Sequence, residues 1–222
     1  MIINTPFKVD SDLYRKCIEN ATHLTGKITL NKPTNRFFYD PWEIKEEYRN
    51  TIWEDVLNTL PKQIGEARLL TLESGKCYFG HADIDDRYHL TLTGKKSFLV
   101  DLEKDQMHSL ENDGKWYDMN AGLIHSAVNF GDVPRIQLVV RKLLNDLSNY
   151  PSTKILITLN TNMHDSRYYF DQEISPMLNQ GNKSEIIHSF NVDANKVSFN
   201  IHNDFVETIV SKSCERCNII AI

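Results

Sequence analysis

The stretch "KWYDMNAGLIHSAVNFGDVPRIQLVVRKLL", residues 115–144, contains three short apolar runs separated by the turns "NAG" and "GDVP". Asn, Asp, Gly and Pro are the residues that most often reverse the chain, so each run is predicted to be a strand. Similar runs precede it at roughly ten-residue spacing: "ARLLTLES", "KCYFGHAD", "RYHLTLTG", "KKSFLVDLE" and "MHSLEND". Many short strands joined by polar turns indicate a β-sandwich or barrel.

Two helices are predicted ahead of this β-rich region. Residues 11–26 place apolar side chains on one face and offer Ser11 or Asp12 as an N-terminal cap. Residues 41–61 repeat apolar side chains at every fourth position between two prolines, which suit a first turn and a helix end. Both helices are expected to pack on the outside of the β core.

After residue 150 the pattern changes to strands alternating with helices. The runs, in order, are "KILITLN", "SRYYFDQEISPMLNQ", "KSEIIHSFNVD", "NKVSFNIH", "NDFVETIVSKS" and "NIIAI". This β-α-β-β-α-β order is that of the ferredoxin-like split unit. We therefore predict a β-rich domain with N-terminal helices over residues 1–148 and a small α+β domain over residues 151–222, with the boundary near residues 146–153.

Composition and charge argue against several classes of function. The 222-residue chain has a formal charge of −5 and no long basic run, which disfavours general nucleic-acid binding. No apolar run reaches the roughly 18 residues of a membrane helix, and the N-terminus lacks a signal-peptide pattern. A cytoplasmic protein without membrane attachment or a disulfide framework is therefore expected. Cys214 and Cys217 form a lone C-x-x-C, for which chance, metal binding and redox use stay open.

The segment "HADIDD" begins with two candidate metal ligands, His81 and Asp83. On an extended chain, positions two apart project to the same face. With His125 they would supply two imidazoles and one carboxylate, the facial triad of non-haem Fe(II) oxygenases. Alone, an H-x-D pair is common by chance, and a strand histidine is more often packed or at the surface. Asp85 is a less favoured alternative ligand, and Asp85 and Asp86 are interpreted as a solvated turn.

A second candidate is Arg135, which follows His125 by ten residues and opens an apolar strand. It shares one strand face with Gln137, Val139 and Arg141. A buried arginine needs an anion to neutralise it, and its planar guanidinium matches a carboxylate. The distal carboxylate of 2-oxoglutarate is the natural ligand, while a surface arginine at a strand end stays open. Arg141 is interpreted as a surface residue.

The segments "SGKCYFGHAD", "RYHLTL" and "WYDMNAGLIHSAVNFGDVPRIQLVV" resemble the aspartyl/asparaginyl β-hydroxylase family of Fe(II)/2-oxoglutarate dioxygenases. The resemblance runs from about residue 68 to residue 142. It implies a double-stranded β-helix core of the jelly-roll or cupin-like kind. It further implies that His81, Asp83 and His125 bind Fe(II) and that Arg135 holds the distal carboxylate of the cosubstrate.

The same resemblance assigns further residues. It places His89 near the cosubstrate carboxylate and Arg87 where it could grip a substrate carboxylate. The family often has a serine near Leu70 and Thr71, so Thr71 or another group would substitute for it here. Asn129 could touch the cosubstrate, and a structural hydrogen bond is the equal alternative.

The implied activity is hydroxylation of a carboxylate-bearing substrate, either a free amino acid or an Asp/Asn-type side chain. The hydroxylation would be coupled to oxidative decarboxylation of 2-oxoglutarate by O₂. The alternative is a cupin-like module that binds a carboxylate without turnover. A cupin enzyme with another metal and no 2-oxoglutarate is a third possibility. The C-terminal domain could associate with itself, cover the site or bind a protein partner.

Overall fold

The computed structural model describes residues 1–145 and 151–222, and the predicted domain boundary falls partly outside them. Contacts divide the chain into two compact units. The core unit comprises Met1–Gly80 and Asp85–Leu143, and the C-terminal unit comprises His81–Ile84 and Leu144–Ile222. The H-x-D segment therefore belongs to the C-terminal unit by its contacts, although it lies inside the core unit along the chain.

The core unit is built mainly of β-strands. Its strands are β1 (Ile2–Lys8), β2 (Lys27–Thr29), β3 (Asn31–Lys32), β4 (Glu43–Ile44), β5 (Ala67–Leu72), β6 (Arg87–Thr93), β7 (Ser97–Asp101), β8 (Gln106–Ser109), β9 (Lys115–Met119), β10 (His125–Asn129) and β11 (Arg135–Arg141). Its helices are α1 (Ser11–Ala21) and α2 (Ile52–Leu57), with a 3-10 turn at Glu46–Tyr48.

Two antiparallel sheets form the β core. One has the strand order β1-β9-β6-β11-β5-β2, and the other has the order β10-β7-β8, extended by a bridge between Cys77 and Val128. We number the eight core strands along the chain, with β5 as the first, the Cys77 segment as the second and β6 to β11 as the third to the eighth. In this numbering, one sheet has the order first, eighth, third, sixth, and the other sheet has the order second, seventh, fourth, fifth. This is the jelly-roll order of a double-stranded β-helix, so the predicted cupin-like core is confirmed.

The hydrophobic core lies on the outer face of the larger sheet. Leu69, Leu90 and Leu138 project from three neighbouring strands and pack with Tyr14 of α1 and Trp53 of α2. The hydroxyl of Tyr14 also donates to the backbone oxygen of Thr91 at 2.6 Å. The helices thus cover this face, as predicted, and the opposite face carries polar side chains beside a second apolar cluster that includes Leu72 and Met119.

The helix predicted over residues 41–61 is mostly wrong. Only Ile52–Leu57 is α-helical, and the preceding residues form β4 and a 3-10 turn. Asn50 has φ of 54°, a left-handed conformation that a right-handed helix does not tolerate. Thr51 then caps the shorter helix by accepting a hydrogen bond from the Trp53 amide at 3.3 Å.

Two further details of the N-terminal region differ from the prediction. α1 is capped by Asp10, whose side chain accepts from the Asp12 and Leu13 amides, rather than by Ser11 or Asp12. β1 was not predicted, because it is an edge strand containing Pro6 and shows weak alternation. Its pairing with β9 shifts register between Asn4 and Lys8.

The C-terminal unit has the predicted β-α-β-β-α-β order. Its elements are β12 (Ser152–Leu159), α3 (Ser166–Tyr169), a π-helical segment (Phe170–Ile174), α4 (Ser175–Lys183), β13 (Ile187–Asp193), β14 (Lys196–His202), a 3-10 turn (Asn203–Phe205), α5 (Val206–Val210) and β15 (Cys217–Ala221). Its antiparallel sheet has the order β13-β14-β12-β15, which is the ferredoxin-like arrangement.

Cys214 and Cys217 face each other across a tight turn, joined by backbone hydrogen bonds of 2.9 and 3.1 Å, and both are free thiols. Through the described ranges, no helix combines the length and the apolar character that a membrane span requires.

Candidate metal centre

The three predicted metal ligands lie together. His81, Asp83 and His125 offer ligand atoms that are all within 4.8 Å of one another. Nε2 of His81 is 3.8 Å from Oδ2 of Asp83. An ion with bonds of about 2.1 Å holds its ligand atoms no more than about 4.2 Å apart. The His81–Asp83 distance is therefore short enough for both side chains to bind one ion, and the 4.8 Å limit for the three ligands lies slightly above that range.

The imidazole of His125 is oriented for metal binding. Its Nδ1 lies 2.8 Å from the backbone oxygen of Leu123. Because that oxygen can only accept, Nδ1 carries the ring proton and Nε2 keeps its lone pair. Metal-binding histidines commonly hold a backbone carbonyl in this way. Two histidines and one carboxylate with further positions open suit Fe(II).

The segment ahead of the H-x-D pair is guided by β10. The Gly75 amide donates to the Asn129 oxygen at 2.8 Å, and the Tyr78 amide donates to the Ala127 oxygen at 2.9 Å. The segment therefore runs antiparallel to β10 and advances towards its first residue, His125. This pairing explains how two sequence segments more than forty residues apart meet in space.

A buried polar network occupies the inner face of β6 and β11. Gln137 lies opposite Thr91, and Val139 lies opposite His89. The Arg135 guanidinium donates a short hydrogen bond to Oε1 of Gln137, and Nδ1 of His89 is 3.1 Å from the same oxygen. Nε2 of Gln137 donates to Oγ1 of Thr91 at 2.9 Å. The amide of Gln137 thus fixes both predicted cosubstrate-binding residues.

His89 is neutral in this network. Burial lowers its pKa to about 3, and the nearby charges of Arg135, Arg87 and His125 add to the shift. Since an arginine can only donate, the shared Gln137 oxygen is the acceptor and Nδ1 of His89 carries the proton. Its Nε2 is buried without a hydrogen-bond partner among the described residues. His89 thus presents an acceptor nitrogen, close to both Arg135 and the candidate metal ligand His125.

Arg135 is a buried cation without a carboxylate beside it. It is 4% exposed, and burial lowers its pKa to about 10, so it stays charged at neutral pH. Within the described part of the chain, its side chain bonds to an amide and to no carboxylate. Gly94 is packed against it: a Cβ there would lie 2.9 Å from Cα and Cβ of Arg135. The surface-residue alternative for Arg135 is therefore wrong.

A separate ionic cluster corrects two predictions. Asp85 is 1% exposed and forms a short ion pair with Arg141, which also bonds Glu66 at 3.1 Å. The prediction that Asp85 lies in a solvated turn is therefore wrong, and so is the prediction that Arg141 is a surface residue. Both were misjudged because their partners come from distant strands. Burial would raise the pKa of Glu66, but Arg68, Lys27 and Arg141 together hold it below its ordinary value.

Arg87, the predicted substrate-binding residue, lies on the inner face of β6 opposite Arg141. It is buried, and its guanidinium is 3.8 Å from Oδ1 of Asp85. Asp86 is half-buried and accepts a hydrogen bond from the Ala121 amide at 3.1 Å. Four arginines, Arg68, Arg87, Arg135 and Arg141, therefore share one face of the sheet beside two buried carboxylates. The face has an excess of positive charge.

Two other residues have structural roles. Nδ2 of Asn129 donates to the backbone oxygens of Leu72 and Val133, which supports the structural alternative. Thr71 lies opposite Ile136, on the core face of β5, and donates to the Leu24 oxygen at 3.2 Å. Thr71 therefore does not replace the serine that the family often has.

Sequence reasoning missed Gln137 and Tyr78. Gln137 shares a strand face with Arg135, a spacing that could have suggested its role. Tyr78 lies near Arg135 and Arg68, whose charges oppose the rise that burial causes in its pKa. Nothing in the sequence around Tyr78 distinguishes it from an ordinary strand residue.

Comparison with known proteins gives distant structural matches. A cupin domain from Bordetella pertussis Tohama I matches 53% of this chain and 93% of its own, with 13% identity and a TM-score of 0.33. CapF, solved with 3-isopropenyl-tropolone, matches 53% of this chain and 32% of its own, with 14% identity and a TM-score of 0.31. No protein-family model and no curated protein matches the chain. The cupin-like assignment rests on the strand order.

Proposed function

We propose that the protein is an Fe(II)- and 2-oxoglutarate-dependent dioxygenase that hydroxylates a carboxylate-bearing substrate. The observation that carries the proposal is Arg135, a buried cation with an amide partner, in a network that also approaches the metal ligand His125. A charge buried at this cost is stable when a bound anion neutralises it. The resemblance to the aspartyl/asparaginyl β-hydroxylase family supports the same reading.

Each group has a role in this proposal. His81, Asp83 and His125 would hold the metal on one face and leave the remaining positions to ligands. Fe(II), when bound, would supply the oxidative chemistry with O₂. Arg135 would bind the distal carboxylate of 2-oxoglutarate, with its guanidinium oriented by Gln137. Burial of this pocket strengthens the charge pairing, because water is largely excluded.

His89 as it stands presents an acceptor. In this state its Nε2 would bind a donor such as a water or a hydroxyl group. Binding a carboxylate would require a second proton on the ring, which a nearby dianion would favour. We therefore expect 2-oxoglutarate to raise the pKa of His89 if the two are in contact.

Two observations support the proposal that the substrate carries a carboxylate: the position of Arg87 and the excess positive charge of the inner sheet face. One observation argues against this proposal, because the carboxylate of Asp85 already lies 3.8 Å from the Arg87 guanidinium. Replacing Arg87 with Ala should raise the KM for such a substrate. An unchanged KM across carboxylate-bearing substrates would remove this part of the proposal.

Release of succinate from 2-oxoglutarate tests the activity. The full chain is assayed with Fe(II), ascorbate, O₂ and a panel of amino acids and peptides. Succinate should form, and Asp83→Ala should abolish its formation, while the exposed Asp12→Ala control should not. No succinate with any substrate, despite measurable 2-oxoglutarate binding, would favour a cupin-like binding module. Turnover that persists in Arg135→Ala would indicate a cupin enzyme that does not use 2-oxoglutarate.

A further inference from the structure

Three residues of the C-terminal unit bind the backbone of the H-x-D segment. They are Asp171, Ser175 and Asn179, spaced four apart along the π segment and α4. The Asp171 backbone oxygen accepts from the Ala82 amide at 3.3 Å, and the Ser175 hydroxyl donates to the Ala82 oxygen at 3.0 Å. This helix therefore presents one polar line to the segment between the two candidate metal ligands.

Asn179 makes the most specific of these contacts. Its Nδ2 donates to two successive backbone oxygens, those of Asp83 and Ile84, both at 2.9 Å. One of the two carbonyls belongs to a candidate ligand itself. A side-chain amide has two N–H donors, so Asn179 uses both of them here.

The Ser175 contact is buried, and the two Asn179 contacts are partly buried. Ser175 and Asn179 are each 2% exposed, and Ala82 is also buried. Residues 82–84 lie outside the sheets, so their carbonyls cannot be satisfied by a strand ladder. A buried carbonyl that loses its donor costs about 1–3 kcal/mol. The geometry of the H-x-D segment thus depends on donors from α4.

A π segment precedes the two side chains that donate these hydrogen bonds. Pro176 lacks an amide hydrogen and cannot donate to the carbonyl of Gln172 four residues earlier, so a regular α-helix is interrupted there. The wider π turn at Phe170–Ile174 precedes it, and π turns are frequent at functional sites. A helix that only packs against a sheet normally buries apolar side chains on the packed face. The buried Ser175 and Asn179 are therefore explained by their hydrogen bonds to the H-x-D segment.

We propose that Ser175 and Asn179 are positioning residues for the metal centre, acting through the backbone that carries His81 and Asp83. Metal ligands bind well when they are held within about 0.5 Å of the productive geometry. The proposal rests on the metal-binding part of the proposed function and is independent of 2-oxoglutarate. It gives two residues of the C-terminal unit a role in holding the H-x-D segment.

The test measures metal affinity in the full chain with Co(II) as the probe, followed by its visible absorption under anaerobic conditions. Asn179→Ala should weaken Co(II) binding by about 10–100-fold, as loss of a group that orients ligands commonly does. Ser175→Ala should weaken it less. Gln180→Ala, at the exposed neighbouring position on α4, is the matched control and should bind as the wild type does.

Thermal unfolding of the metal-free variants separates positioning from general stability. Co(II) affinity equal to wild type in Asn179→Ala, in a sample that is folded, would overturn the proposal even if the melting temperature falls. If Asn179→Ala does not fold, Ser175→Ala decides, and wild-type affinity there would overturn the proposal. Wild-type protein that binds no Co(II) would refute the metal site itself and the proposed function with it. Normal Co(II) binding without succinate formation would contradict only the dioxygenase activity.

Discussion

β11 begins and ends with an arginine, Arg135 and Arg141, and both project from the same strand face. The two arginines have different hydrogen-bond partners. Arg141 is paired with the carboxylates of Glu66 and Asp85. Arg135 is paired with the amide of Gln137. An arginine whose charge is balanced by the chain stabilises the fold, whereas one that is not balanced is suited to an external anion. The difference lies in the partners and not in the arginine or its strand.

The largest expected effect is on stability at the Arg141 end. Arg141→Leu should lower the free energy of unfolding by about 3 kcal/mol, because buried Asp85 loses its short ion pair and keeps the longer Arg87 contact at 3.8 Å, while Glu66 keeps Lys27 and Arg68. Urea unfolding of the metal-free protein measures this. Adding Asp85→Asn should recover part of the loss, since it removes the buried carboxylate that has lost its main cation. Wild-type stability of Arg141→Leu would remove the contrast between the two arginines.

At the Arg135 end the effect should be on binding. Arg135→Leu should weaken 2-oxoglutarate binding by about 100-fold, the typical cost of removing one partner from a buried charge pair. The free energy of unfolding should stay the same or rise, because a buried charge is lost. Titration calorimetry with Mn(II) in place of Fe(II) measures the affinity, with the exposed Arg15→Leu as control. If Arg135→Leu loses much stability and binds 2-oxoglutarate as the wild type does, Arg135 stabilises the fold and does not bind the cosubstrate.

Gly94 tests how tightly the Arg135 end is packed. Gly94→Ala should cost about 2 kcal/mol, from its φ of 113° and from the close approach to Arg135. It should also weaken 2-oxoglutarate binding. Gly26→Ala is the matched control, because Gly26 also has positive φ but nothing within 4 Å of a Cβ. Equal effects of the two variants on binding would show that packing against Arg135 is unimportant.

The smallest effect concerns pH. The folded-state pKa of His89, about 3, is below its ordinary value of 6.5, so below pH 6.5 the unfolded chain takes up a proton that the folded chain does not. His89 therefore costs stability as pH falls from about 7, by about 1 kcal/mol at pH 5.5. In the metal-free protein, the difference in stability between wild type and His89→Gln should shift in favour of the variant by this amount. A difference that does not change between pH 7.5 and 5.5 would contradict the neutral, buried state of His89.

The sequence predicted most strands of the core, because their alternation and turns are local signals, but the run at residues 76–83 has an isolated bridge at Cys77 in place of a full strand. It also brought out His81, Asp83, His125 and Arg135 as one group. It misjudged Asp85 and Arg141, since burial of a charge depends on partners more than fifty residues away. The helix over residues 41–61 failed for a local reason, because a left-handed Asn50 leaves no trace in apolar periodicity.

The hydrogen bonds from Ser175 and Asn179 to the H-x-D segment span 93 and 96 residues of chain. A ribosome adds about 5–20 residues per second, and domains fold from the N-terminus during synthesis. The core strands would therefore emerge several seconds before the donors that hold His81 and Asp83. We expect a nascent chain to acquire its metal late, only after α4 has been made.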